Sequence, residues 1–295
     1  MNLKISKFIQ GLKLLAINPP LFLKYFRKHL FEFFYQKHQL SMMSQNEVKK
    51  IGKIVFDFNF DFPIGDDYFY QMYFNFYEIA TVDVIKKILK KGDIFIDIGA
   101  NIGYLTAFGA NLVGENGVVY SFEPIPLFFK SLKCLKELNP GYNIILNELA
   151  LSDKTGQTKI DFAQPPHIGG SSMVLGSLGL NNIPAKTIVI RAVRLDEYIK
   201  EKKIDNISLI KIDVEGFEYF VLKGLEGFFK TSYARPPIIC EICPDTFSGK
   251  DKRRELLKFM KQYGYEAYNI FNINHEIDIM KFKRGTNVVF KTSKQ

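Results

Sequence analysis

From residue 93 onward the chain alternates between short apolar runs and helix-period segments at the length of a βα unit. DIFIDI (93–98), GVVYSFE (117–123), YNIILNEL (142–149), ISLIKID (207–213) and PIICEI (237–242) read as strands. Residues 102–113, 126–138, 216–229 and 251–263 read as helices between or after them. Each return between parallel strands is a right-handed crossover that needs a helix, so this order predicts a mostly parallel sheet covered on both faces. YEAYNIF and TNVVFKT lack a helix-period segment between them, which predicts an antiparallel pair at a sheet edge. The expected fold class is α/β, Rossmann-like, with seven strands, one of them an antiparallel edge strand, plus N-terminal helices. Residues 155–195 interrupt the alternation with two further strands, TGQTKIDF and KTIVIRAVRL, around the loop AQPPHIGGSSMVLGSLGLNNIP.

Upstream the pattern differs. KIVFDFNFDF alternates and reads as a strand, and FYEIATVDVIKKILKKG as a helix closed by Lys90, Lys91 and the C-cap Gly92. Residues 1–50 hold nine Lys or Arg against Glu32 and Glu47, so they carry +7 of the formal +9. Two basic amphipathic helices, MNLKISKFIQGLKLLAI and LFLKYFRKHLFEFFYQKH, are expected there. They either cap the core or reach an anionic membrane surface or lipid-linked substrate through residues 1–40. Nucleic acid is not the expected partner, because apolar bulk interrupts any solvated basic stripe. The expected division is a basic helical segment 1–50, a strand and linker 51–78, and one domain over 79–295. With no apolar run of about 18 residues and no signal-peptide pattern, the expectation is a cytoplasmic protein, peripheral at the inner membrane face if the helices bind lipid. Three cysteines make no disulfide framework, and Cys240-x-x-Cys243 lacks two further zinc ligands.

In an open parallel sheet, ligands sit beyond the carboxyl ends of the strands. DIGANIG stands at such an end, where Gly99 and Gly103 permit a tight turn and close approach of backbone to ligand. A dinucleotide fold uses a second glycine where this chain has Asn101, and Asp97 ends the strand at the ligand. A carboxylate there repels a diphosphate and favours a cation. At ~4 Å and an effective dielectric near 20 the difference is about 4 kcal/mol in either direction. S-adenosylmethionine, with its ammonium and sulfonium, fits that sign. Glu123, at the end of the next strand, is placed to accept from both ribose hydroxyls.

Together FIDIGANIGYLT, VYSFEPIP, NELALSDKTGQTKI, VRLDEYI, LIKIDVEGFEYFVLKG and PIICEI resemble the FkbM family of S-adenosylmethionine-dependent methyltransferases, over roughly residues 92–291. The resemblance implies a class I methyltransferase sheet and an O-methyltransferase. The family is associated with sugar hydroxyls of glycans and with glycosylated or polyketide natural products.

Methyl transfer needs alignment and removal of one proton from the acceptor. Asp213 arrives at a strand end and is expected to position cofactor or acceptor. Glu215 follows as acceptor ligand or base, unless it is only a helix-start carboxylate. Lys211 is either their counter-charge or snorkels out of the sheet. His167, in a Pro- and Gly-rich loop, is a further candidate base. Ala150 and Leu151 are expected at the adenine end by position, with Ser152 or Asp153 beside them. Acidic groups on one rim, Glu241 among them, suit a hard cation, yet they also serve cation and sugar recognition, and no metal is expected. The rivals are a nicotinamide-dependent reductase, for which Tyr219 and Lys223 have the right spacing, and a non-catalytic membrane-docked module.

Overall fold

The computed structural model describes residues 18–38, 48–58, 71–163, 171–172, 185–242 and 250–293. Strands β1 (Val48–Ile51) and β2 (Ile54–Asp57) form a hairpin, so the first strand is shorter than expected and turns at Gly52. Helix α1 (Pro19–His38) precedes the hairpin and α2 (Ile79–Ile88) follows it. The C-cap of α2 is Leu89, and Gly92, at φ 89°, lies in the turn beyond.

The main units follow in order: β3 (Ile94–Ile98), α3 (Tyr104–Val113), β4 (Val118–Phe122), α4 (Pro126–Leu138), β5 (Asn143–Asn147), β6 (Ala150–Leu151), β7 (Gly156–Ala163), β8 (Ser171–Ser172), β9 (Ala185–Val193), α5 (Leu195–Lys202), β10 (Ile207–Ile212), α6 (Glu218–Lys223), α7 (Glu226–Thr231), β11 (Ile238–Ile242), α8 (Lys250–Gln262), β12 (Glu266–Asn269), β13 (Asn272–Glu276) and β14 (Thr286–Lys291). The main sheet has the order β13-β12-β14-β11-β10-β3-β4-β5, with β11, β10, β3, β4 and β5 parallel. A second sheet, β6-β9-β7-β8, holds the two interrupting strands.

The doubly wound, mostly parallel architecture stands as read, with two corrections in detail. The sheet has eight strands, and the antiparallel β14 lies inside it, between β11 and β12. The eighth strand, NINHE, hairpins back on β12 at the edge and is largely exposed, so it carries no apolar signal. The helix expected over 216–229 is two helices, α6 and α7. At the break, a Cβ on Gly224 would stand 2.3 Å from the Ser152 carbonyl oxygen, so the chain passes too close to that loop for any larger residue.

Two apolar layers flank the sheet. One joins Phe95, Val119, Leu209 and Ile239 to α2, α3 and α4; the other joins Ile96, Ile98, Ile210 and Ile212 to α5 through α8. Helix α1 packs on α2 in the first layer, burying Leu21 and partly Phe22 and Tyr25, with Lys24 Nζ 3.1 Å from Asp83 Oδ1. Its other flank leaves Leu23 58% and Phe26 54% exposed. Among the described residues, no helix is long and apolar enough to cross a membrane.

Candidate functional site

The carboxyl ends of β3, β4 and β10 open into a cavity of about 320 Å³, roofed from the N-terminal side by Gln71, Met72, Tyr77 and Glu78. This is the position where an open parallel sheet receives ligands.

The turn after β3 is built by backbone conformation. Gly99, Asn101 and Gly103 all have positive φ, at 72°, 52° and 92°. A Cβ on Gly99 would stand 1.8 Å from the Asp213 carbonyl oxygen, so the end of β10 passes directly over this residue. Asn101 is a residue type that tolerates the left-handed region. Its Oδ1 accepts from Ile102 N at 2.8 Å, and its own N–H donates to Glu123 Oε2 at 2.9 Å. Glu123 Oε1 accepts from Ile125 N at 2.9 Å, so two backbone donors fix the carboxylate at the cavity wall. Burial still pushes Glu123 up to about 7, against those hydrogen bonds.

Of the expected site residues, Gly99, Asn101, Glu123, Ala150, Leu151, Asp213 and Glu215 line the cavity. Asp97 and Gly103 are absent from its described lining. Asp97 is fully buried behind the wall: Oδ2 accepts from Thr106 Oγ1 at 2.6 Å, and Oδ1 lies 3.8 Å from Lys211 Nζ. The picture of Asp97 as a carboxylate presented to the ligand is therefore corrected. Its side chain points into the layer under α3, because side chains alternate along the strand and Ile96 and Ile98 take the other face. Gly103 instead admits α4: a Cβ there would meet Leu132 at 2.8 Å. His167 lies outside the described residues, as does Cys243 of the C-x-x-C pair.

Lys211 is the counter-charge rather than a snorkelling side chain. Only 3% exposed, it donates to the Gly99 carbonyl at 3.2 Å and lies 3.4 Å from Asp213 Oδ2. Burial opposes its charge, but Asp213, Asp97 and Glu78 outweigh that and hold its pKa above the ordinary lysine value. Glu215 stands at φ 52° in the loop after β10. Burial, then Asp213 and Glu218, push it up to about 9. One carboxylate oxygen from each of Asp213, Glu215 and Glu241 lies within 4.8 Å of the others, close enough to share a cation.

Sequence reasoning missed Glu78 and Glu218. Glu218 is fully buried, and its Oε1 accepts from Val214 N and Gly216 N, bracing the Glu215 loop. Glu78 lines the cavity and is pushed to about 7, by burial first and then by Asp213. Neither had a signal beyond being a carboxylate close to a motif or a helix start. Tyr219 and Lys223 are absent from the described lining of the cavity. Lys223 pairs with Glu226 at 3.1 Å, and Lys252 sits 5.1 Å from the Tyr219 ring.

Residues 97–267 match the family model described as Methyltransferase FkbM domain. The 31-O-demethyl-FK506 methyltransferase FkbM of Streptomyces tacrolimicus is 31% identical over 47% of this chain and 61% of its own length. The hexuronic acid methyltransferase AglP of Haloferax volcanii is 28% identical over 48% of this chain and 55% of its own. The chain thus spans less than two thirds of the length of these relatives. A solved S-adenosylmethionine-dependent O-methyltransferase of Thermotoga maritima, 12% identical, aligns with a TM-score of 0.41 over 85% of this chain and 88% of that one. With more than half of its 295 residues inside the matched domain, the chain belongs to the FkbM family of S-adenosylmethionine-dependent methyltransferases.

Proposed function

We propose that the protein is an S-adenosylmethionine-dependent O-methyltransferase whose acceptor is a hydroxyl of a sugar, a glycan or a glycosylated metabolite. The observation that carries this reading is the charge of the cavity. Glu78, Glu123, Asp213, Glu215 and Glu241 line it against the single base Lys211 among the described residues, at the position where this fold takes its ligand. Such a wall disfavours the diphosphate of a nicotinamide dinucleotide and favours a cationic cofactor. The relatives act, by their names, on a 31-O-demethyl macrolide and on a hexuronic acid, which supports an oxygen acceptor.

In this reading Glu123 takes the ribose hydroxyls, and Ala150 and Leu151 pack the adenine. Asp213, fixed by Lys211, aligns the reacting groups. The acceptor oxygen attacks the methyl carbon, the sulfonium–carbon bond breaks, and S-adenosylhomocysteine leaves. Glu215 takes the hydroxyl proton. Its raised pKa makes it a stronger base once ionised, and the incoming cofactor cation favours that ionisation.

The test is calorimetry with S-adenosylhomocysteine and NADH. S-adenosylhomocysteine is expected to bind and NADH is not; comparable NADH binding would return the reductase reading. Mass spectrometry of glycans from a deletion strain then identifies the acceptor as the species that loses a methyl group. The excess charge of residues 1–50 and the exposed Leu23 and Phe26 support a further contact with an anionic lipid surface, which would suit a lipid-linked acceptor.

A further inference from the structure

Asp97, the carboxylate the sequence offers for selecting a cationic cofactor, is behind the cavity wall. Another group must meet that charge, and the cavity divides in a way that narrows the choice. Strand order puts β4, with Glu123, on one side of the Gly99 turn, and β10, β11 and β14 on the other. If adenosine takes the Glu123 half, the amino-acid end of the cofactor is directed to the β10 half.

Glu78 overhangs that half. It occupies the N-cap position of α2, yet makes no capping hydrogen bond to its own helix. Its backbone is held at φ 43°, ψ 47°, a conformation that costs a residue with a Cβ about 1–2 kcal/mol. Strain of this kind in a cavity-lining residue points to a role for the side chain. The carboxylate is turned off the helix towards the sheet, where Oε2 accepts from Asn287 Nδ2 at 3.3 Å. Asn287 is the register partner of Glu241 at the end of β11, so a sheet residue steers Glu78 over the strand ends. Helix α2 itself packs against both α3 and β10, which brings Glu78 within electrostatic reach of Asp213, Lys211 and Asp97.

The other carboxylates are engaged or displaced. Asp213 is taken by Lys211, Glu123 belongs to the far half, and Glu241 lies one strand further from the Gly99 turn. Around Lys211 stand three carboxylates, Asp97, Asp213 and Glu78, so one cation there leaves an excess that a second cation balances.

We propose that Glu78, which lies outside the matched family domain, binds the α-ammonium group of S-adenosylmethionine. The inference rests on the cofactor reading above and adds to it the residue that selects the amino-acid moiety.

The experiment compares S-adenosylhomocysteine with 5′-methylthioadenosine, which shares the adenosine and thioether but has no amino-acid group. Both are titrated calorimetrically into the full chain and into Glu78→Gln and Glu78→Asp. Glu78→Gln keeps the shape and the Asn287 contact but removes the charge. It is expected to weaken S-adenosylhomocysteine at least tenfold and leave 5′-methylthioadenosine within twofold. Glu78→Asp, which retains the charge, is expected to keep most of the preference for S-adenosylhomocysteine. Unchanged S-adenosylhomocysteine affinity in Glu78→Gln overturns the proposal. So does an equal loss of both ligands in a variant that still melts cooperatively. Failure of the unaltered protein to bind either ligand instead overturns the cofactor reading on which it rests.

Discussion

Lys211 and Asp97 are register partners on the neighbouring parallel strands β10 and β3, with Nζ 3.8 Å from Oδ1 and neither side chain reached by water to any extent. Such a pair contributes little net stability while intact, but removing one partner leaves an uncompensated buried charge, which typically costs about 3–5 kcal/mol. Lys211→Met is therefore expected to lower unfolding stability by about that amount in urea titrations. The double change Asp97→Asn with Lys211→Met should recover much of the loss. A single variant as stable as the parent would show that the pair is not a structural element.

The Gly99 turn makes a sharper contrast. Gly99 and Gly92 both have positive φ, but a Cβ at Gly99 would meet the Asp213 carbonyl oxygen at 1.8 Å, whereas at Gly92 nothing lies within 4 Å. Gly92→Ala should cost only the left-handed backbone penalty, about 1–2 kcal/mol, and leave S-adenosylhomocysteine binding intact. Gly99→Ala should abolish binding, because the β10 end must move off the turn. Equal behaviour of the two variants in melting and titration would remove the close approach as the reason for the glycine.

Burial of acids sets a pH dependence. Glu78, Glu123 and Glu218 are each pushed up to about 7, and Glu215 to about 9, first by burial in every case. An acid whose pKa is higher folded than unfolded binds more protons in the native state. Its contribution is fully present below its unfolded value and disappears as pH rises through the folded one. The free protein is therefore expected to melt at progressively lower temperature from about pH 5 to about pH 9. Glu215→Gln should flatten the part between 7 and 9. A melting temperature that rises over this range would contradict the assignment.

The parts of this site that were legible in the sequence are those fixed by local chain geometry. The glycine turn, Glu123 at a strand end and Asp213 at another follow from where strands stop, and all three border the cavity. Asp97 was legible as a strand residue but not as a buried one, because its inward face depends on the covering helix α3 and on Lys211, 114 residues further along the chain. Glu78 was not legible. Its position depends on a hydrogen bond to Asn287 across 209 residues, and no local pattern encodes that pairing. The hairpin strand NINHE escaped for a different reason: an exposed edge strand has no apolar alternation to read.

The outer flank of α1 carries the remaining prediction. Leu21 and Tyr25 turn to the core, while Leu23 and Phe26 face outward beside the exposed Arg27, in a segment bearing most of the formal positive charge. Burying two such side chains in a lipid interface is worth roughly 1.5–3 kcal/mol each when complete, and basic residues add about 1 kcal/mol each near an anionic surface. The full chain is expected to float with vesicles containing phosphatidylglycerol and to sediment with purely zwitterionic ones, the difference shrinking in high salt. Leu23→Ser with Phe26→Ser should release it without lowering the melting temperature, since both positions are already in solvent. Flotation that is indifferent to lipid charge, or to these two residues, would leave α1 as a cover for the core alone.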